Sequence, residues 1–317
     1  MAEVTALGEV LIDFTDAGTS EGGQKLFERN PGGAPANVLV ALERLGHKTA
    51  FIGKVGDDMH GRFLKQVMDD NGVDTSNLVI DPNFFTTLAF VALSPTGERT
   101  FSFARKPGAD TQLAPAELDR DLIAGSRVFH VGSLSLTNEP ARSATMTALR
   151  VAKDAGVVVS YDPNYRDTLW DGPDVAAGQM RTVIPYVDVM KLSDEECELV
   201  TGRLEPAMAA EWLLEQGVKV CVVTLGADGA FVATHDGSAV VPGYAADVVD
   251  TTGAGDSFWG GFLAGMLESG LAPADVDIAA AQGFVRLGNA VASLTVRGRG
   301  GIPSIPERKD VEALLAK

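Results

Sequence analysis

The sequence predicts an α/β protein built on a mostly parallel sheet, and three observations carry that prediction. Between residues 127 and 192, strand-length apolar runs alternate with helical ones: strand 127–132, helix 140–155, strand 157–161, helix 174–184, strand 186–192. Such alternation implies parallel strands joined by right-handed crossovers. The 317 residues, 45% hydrophobic and 22% charged, suffice for one large core with a small appended element. Last, an apolar stretch at 246–249 runs through a glycine-rich turn into a helix over about 257–268, with Phe258, Phe262 and Met266 at helical spacing and Gly270 as its stop.

Taken in order, Val4 to Leu7 begins a strand that reaches Gly8 and continues toward Asp13. This puts Asp13 at the carboxyl edge of a parallel sheet, where ligands bind. By position alone a solvated loop acid is the simpler description. Pro31-Gly32-Gly33-Ala34-Pro35 opens a helix with Val38, Leu42 and Leu45 as its apolar stripe and Gly46 as its end. The glycines allow close backbone approach to a ligand, and Asn37 can donate and accept toward a polyol. Strand 49–55 and helix 61–70 follow. Residues 86–93 and 98–104 flank the turn Ser94-Pro95-Thr96-Gly97 and form a β-hairpin, with Arg105 and Lys106 at its base. It is either an edge of the core sheet or an excursion that forms a lid.

Beyond the alternating stretch, Asp162-Pro163-Asn164-Tyr165-Arg166 lies just past a strand's carboxyl end. Arg166 there is a ligand contact or an exposed loop cation. Ser193 and Glu196 have the spacing of a capping box on the helix that ends at Thr201-Gly202. A buried strand over 218–224 leads to the turn Leu225-Gly226-Ala227-Asp228-Gly229 and a hairpin with His235-Asp236-Gly237 at its tip. Residues 275–293 form one long helix of small residues, 297–304 are glycine-rich, and 307–315 form a closing helix.

A net charge of −17 argues against a broad nucleic-acid or anionic-membrane surface, which needs clustered Lys and Arg. It leaves room for one nucleotide held by a glycine-rich site and a divalent cation. The four histidines show no metal-ligand spacing, so zinc is not expected. The two thiols, Cys197 and Cys221, with no signal-peptide pattern and no membrane-length apolar run, point to the cytoplasm.

The chemistry concentrates in Asp250-Thr251-Thr252-Gly253-Ala254-Gly255-Asp256. Free N–H groups and the positive helix end favour an anion there, phosphate above all. Asp256 is an acid where a phosphate would sit. That is reasonable if the carboxylate faces a nucleophilic hydroxyl while the N–H groups face the group in transfer. Otherwise Asp256 is an ordinary helix-start acid. The turn lacks the spacing of a Walker A loop.

The stretch from Asp250 to Phe258 resembles the C-terminal signature of the ribokinase-like (PfkB) sugar kinases. Gly32-Gly33-Ala34-Pro35-Ala36-Asn37-Val38 resembles that family's other signature, in the expected order and separation. The resemblance covers essentially the whole chain. Within the family, the segments Gly8 to Phe14, Phe103 to Asp110 and Asp162 to Arg166 are most similar to the fructokinases. The resemblance implies a ribokinase-like three-layer sandwich: one domain, 1–317, with a small β lid from about 9–30 and 86–106, and a homodimer paired through that lid. It implies ATP-dependent phosphorylation of the primary hydroxyl of a small sugar, fructose to fructose 6-phosphate. Asp256 would be the general base and the 253–255 turn the anion hole, with Gly253, Ala254 and Gly255 donating. Asp13, Gly32, Gly33, Asn37, Phe103, Arg105 and Arg166 would hold the sugar, and Lys191, Thr224, Gly226, Gly229, Gly253, Gly255 and Asn289 the nucleotide. Similar kinases read Asn-x-x-Glu where this chain has Ser193 and Glu196, which leaves Glu196 to organise Mg2+ through water. They use the equivalents of Asp250, Thr252, Gly300 and Ser304 for a monovalent cation such as K+. Kinases of 2-keto-3-deoxygluconate, ribose or nucleosides share these motifs, and a non-catalytic sugar- or nucleotide-binding homologue is the rival of another class.

Overall fold

The computed structural model describes residues 2–93 and 99–317, so the turn Ser94-Pro95-Thr96-Gly97 lies outside the described residues. The chain opens with β1 (Val4–Leu7), β2 (Leu11–Thr19), β3 (Lys25–Gly32) and α1 (Ala34–Arg44). Next come β4 (Thr49–Gly56), α2 (Met59–Asp70), β5 (Asp74–Asp81), β6 (Leu88–Leu93) and β7 (Arg99–Ala104). The alternating stretch is α3 (Arg120–Ala124), β8 (Val128–Val131), α4 (Ala141–Asp154), β9 (Val158–Tyr161), α5 (Pro173–Arg181) and β10 (Val189–Ser193). Then α6 (Asp194–Thr201), α7 (Pro206–Glu215), β11 (Val220–Thr224), β12 (Ala230–Thr234) and β13 (Gly237–Val241) follow. The last helices are α8 (Ala254–Ser269), α9 (Ile278–Thr295), α10 (Gly301–Ser304) and α11 (Arg308–Leu315).

Among the described residues the strands form two sheets. The larger runs β13-β12-β11-β10-β9-β8-β1-β4-β5, parallel from β11 to β5 with an antiparallel hairpin at one edge. One apolar cluster packs α1, α8 and α9 against one face, and a second packs α4, α5, α6 and α7 against the other. The result is the three-layer α/β/α sandwich that the family resemblance implied, built on the mostly parallel sheet that the alternation predicted. Strand order reverses around β1, whose neighbours are β4 on one side and β8 on the other. A reversal of this kind opens a crevice beyond the carboxyl ends of the strands. No helix among the described residues is long and apolar enough to cross a membrane.

The second sheet, β3-β2-β6-β7, lies over that crevice. Its register aligns Asp13 with Ala89 and Ala89 with Phe103, so Asp13 and Phe103 share one face. Phe14, Phe27 and Phe90 cluster on the other, with Phe14 stacked on Phe90 at 5.2 Å.

Several boundaries depart from expectation. The chain does not run from β1 to Asp13 as one strand. It leaves the large sheet after Leu7 and re-enters β structure in the small one, so Asp13 is an inner strand residue and not a loop acid. Residues 246–249 form no strand: Val248 and Val249 are 63% and 60% exposed, and no strand among the described residues pairs with the segment. Apolar character alone does not make a ladder. Helix α8 begins at Ala254, three residues early, because Gly253 completes the turn at φ 75°. Helix α9 begins at Ile278, where the Asp277 side chain accepts from Ala280 N, and the glycine-rich stretch near the C-terminus contains α10.

Candidate active site

The crevice holds a cavity of about 350 Å³ whose walls include Asp13, Gly33, Asn37, Phe103, Arg166, Lys191, Thr224, Gly253, Gly255 and Asp256. One corner of it is the start of α8. Ala254 N–H donates back to Thr251 O at 3.2 Å, and the first helical bond runs from Ser257 N to Gly253 O at 2.8 Å. The donors left over by this turn are therefore the N–H groups of Gly253, Gly255 and Asp256. Ala254, counted among the donors from the sequence, spends its N–H on the turn itself. The left-handed φ at Gly253 is accessible to glycine at little cost. A Cβ there would also come within 3.0 Å of Gly301 Cα.

Asp256 sits in the first turn of α8, buried, and both carboxylate oxygens are held. Asn37 Nδ2 donates to Oδ2 at 2.7 Å and Asn164 Nδ2 donates to Oδ1 at 2.6 Å. Burial pushes the Asp256 carboxyl above the usual range, opposed by the Asn37 hydrogen bond, the Lys191 and Arg166 charges and the Asn164 hydrogen bond. Two amide donors still leave lone pairs on the carboxylate for a hydroxyl proton.

Asp13 faces Asp256 across the cavity from the small sheet. Burial first, then the charges of Asp256 and Asp250, raise its carboxyl to about 7 against the opposing Arg166. Gly32 and Gly33 make room for this corner: a Cβ on Gly32 would lie 2.2 Å from Asp13 Oδ2, and one on Gly33 2.5 Å from Glu9 O. Glu9 also lines the cavity; its Oε1 accepts from Ala34 N at 3.0 Å, and burial raises its carboxyl to about 7.

Beneath the turn, Lys191 Nζ forms a buried ion pair with Asp162 Oδ2 at 2.7 Å. A Cβ built on Gly255 would meet Lys191 Nζ at 3.4 Å, so the ammonium lies directly under the glycine backbone. Glu196 closes the capping box on Ser193 N at 2.8 Å with one oxygen and accepts Tyr165 N at 2.6 Å with the other. Among the described residues no cluster of His, Cys, Asp and Glu could hold a metal ion by itself. A carboxylate pinned by two N–H groups fits a divalent cation reached through water, as expected of Mg2+ carried on phosphates. Asp250 Oδ1 accepts from Thr252 N and Oγ1, and its Oδ2 accepts from Gly300 N at 2.9 Å. Ser304 Oγ donates to Gly300 O, which gathers Asp250, Thr252, Gly300 and Ser304 in one corner.

Arg105, Asn289, Gly226 and Gly229 are among the candidates that fall outside the cavity. Arg105 is buried in a neighbouring hollow, ion-paired to Asp110 at 2.7 Å and donating to Thr137 Oγ1 and Leu134 O. Its guanidinium is consumed by structure and does not reach the sugar corner, contrary to the expectation from sequence. Asn289 donates to Val241 O and Pro242 O, tying α9 to the end of β13 and not to a ligand. Gly226 and Gly229 line no part of the cavity; at Gly229 a Cβ would come within 2.1 Å of Val241 O, a packing reason for the glycine.

Residue-by-residue reading overlooked Asn164, Asp162 and Glu9. A signal for Asn164 was present: Asn is among the few residues that accept left-handed backbone, and this one has φ 49°. Asp162 and Glu9 find their partners, Lys191 and Ala34, only through the fold.

Residues 1–308 match the family model described as pfkB family carbohydrate kinase. Fructokinase-1 of Oryza sativa subsp. japonica is 41% identical over 317 residues, covering 98% of this chain and 97% of that protein. The fructokinase of Xylella fastidiosa solved with bound ATP superposes with a TM-score of 0.91 at 31% identity, covering 100% of this chain and 99% of that one. The fructokinase of Vibrio cholerae O395, solved with fructose, ADP and calcium ion, superposes with a TM-score of 0.89 at 35% identity, covering 99% of each. With a family match across nearly the whole chain, and a crevice that joins a buried carboxylate to the open N–H groups of a helix start, this chain belongs to the pfkB family of carbohydrate kinases and is a sugar kinase.

Proposed function

We propose that this chain transfers the γ-phosphoryl group of ATP to the primary hydroxyl of fructose, forming fructose 6-phosphate and ADP. The observation that carries this reading is the Asp256 carboxylate, clamped at the mouth of the α8 helix end and sharing one cavity with Asp13. Asp13, the Gly33 backbone and Asn37 orient the sugar. Asp256 takes the hydroxyl proton as the new O–P bond forms and the bridging bond to ADP breaks. Gly253, Gly255 and Asp256 N–H groups, with Lys191 beneath them, meet the charge on the phosphoryl oxygens. A divalent cation bound with the nucleotide would neutralise phosphate charge, with Glu196 holding it through water. Fructose is favoured over an acid sugar because the relatives are fructokinases and because Arg105 is already paired to Asp110, which leaves Arg166 beside two carboxylates, Asp13 and Asp256. Two chains pair through the outer, phenylalanine-bearing face of the small sheet, which serves as the lid.

An ADP-release assay over a panel of neutral and acidic sugars tests the substrate. Fructose should give the highest kcat/KM, and preference for a sugar acid overturns the assignment. Asp256→Asn should lower kcat by roughly 10²–10⁴-fold with fructose binding retained. Near-normal turnover in that variant removes Asp256 as the base.

A further inference from the structure

The Asp256 carboxylate is clamped from two sides by different kinds of support. Asn37 projects from α1, a helix packed directly on α8. Asn164 projects from a loop, yet its amide makes the shorter bond, 2.6 Å to Oδ1. That loop is fixed through its backbone on both sides of Asn164: Ser133 N donates to Pro163 O at 3.0 Å, and Tyr165 N donates to Glu196 Oε1 at 2.6 Å. Asn164 is the non-glycine residue with positive φ among the described residues, at 49°. Backbone held in a sparsely populated region persists where its surroundings determine it, and such residues cluster at functional sites. Here the result is an amide donor aimed at the base before any substrate arrives.

We propose that Asn164 is a positioning residue for phosphoryl transfer, fixing the orientation of the Asp256 carboxylate and stabilising its anion by a direct hydrogen bond. The inference rests on Asp256 acting as the general base. Because the loop is anchored by its neighbours' backbone groups, the Asn164 side chain is not needed to hold it, which separates a catalytic from a merely structural contribution. Other charged groups face Asp256 from the elements around it. They are Lys191 from β10, Asp162 and Arg166 from the loop after β9, and Asp13 from the small sheet.

Asn164→Gly accepts the left-handed backbone and deletes the amide. Removing a donor from a carboxylate favours its protonated form. The acid limb of the single-turnover rate should therefore move up by about one pH unit, with a loss of roughly tenfold at the low-pH end that shrinks as pH rises. The isosteric Asn164→Asp, also tolerant of positive φ, replaces the donor with an anion and should move the limb further in the same direction. It decides the matter if the glycine variant folds poorly. An acid limb unchanged in folded Asn164→Asp or Asn164→Gly protein, while Asp256→Asn is inactive, overturns the role of Asn164 and leaves the base standing. Near-normal turnover in Asp256→Asn would instead remove the base itself.

Discussion

Asp13 shows most directly what burial does to a single side chain at this site. Its carboxyl is raised to about 7, so near neutral pH the free protein divides between protonated and ionised forms. In the proposed role Asp13 accepts from two sugar hydroxyls at once, which its ionised form does with both oxygens. The apparent affinity for fructose should thus improve by about tenfold between pH 6 and pH 8, the rise expected when only the ionised form binds. Glu9 titrates in the same range, so the control is Asp13→Asn: the pH dependence of KM should flatten in that variant while overall affinity falls. A slope that survives the substitution assigns the effect elsewhere. At this scale the sequence was partly legible. Asp13, Asn37 and Asp256 stand in motifs whose chemistry can be named from residue type. Arg105 could not be read, because a guanidinium looks the same in sequence whether it awaits a ligand or is saturated by Asp110, Thr137 and Leu134.

The element on which the site depends is α8. It is buried along most of its length, with Trp259 stacked on Phe262 at 4.6 Å and Trp259 Nε1 donating to Ser160 Oγ. Gly260 brings it against α1, since a Cβ there would lie 2.5 Å from Ala41 Cβ; Gly261 brings it against α9, where a Cβ would lie 2.9 Å from Gly288 Cα. Gly260→Ala should therefore lower the melting temperature, because overpacking costs about 1–3 kcal/mol and exceeds the helix-propensity gain of about 1 kcal/mol. It should lower kcat too, since Asp256 and Asn37 ride on the two helices being forced apart. Gly283→Ala on α9 is the opposite case: exposed, with nothing near the added methyl, it should raise the melting temperature. Thermal melts of the two variants check both signs. The strands and helices between 127 and 192 were legible because their periodicity is local. The stretch at 246–249 misled because a strand is defined by its partner, and no partner is encoded nearby.

For the whole molecule, the small sheet leaves Phe27 and Phe90 47% and 38% exposed on its outer face. If two chains pair there, sedimentation should give a dimer at micromolar concentration, and Phe27→Glu should shift it to monomer with loss of activity. A wild-type monomer with full turnover would rule out pairing as a requirement.

Sequence by itself determined the α/β class, the glycine turn with its acid at the start of a helix, and the family, because these follow from local periodicity, backbone freedom at glycine and contiguous motifs. Tertiary structure alone decided which polar groups converge. It brought Asn164 onto Asp256 across 92 positions of chain, slid Lys191 under Gly255, and turned Arg105 away. The reason is physical: a hydrogen bond is set by distances of a few ångströms between atoms whose proximity is created by the crossovers of the sheet, and no residue type carries that information along the chain.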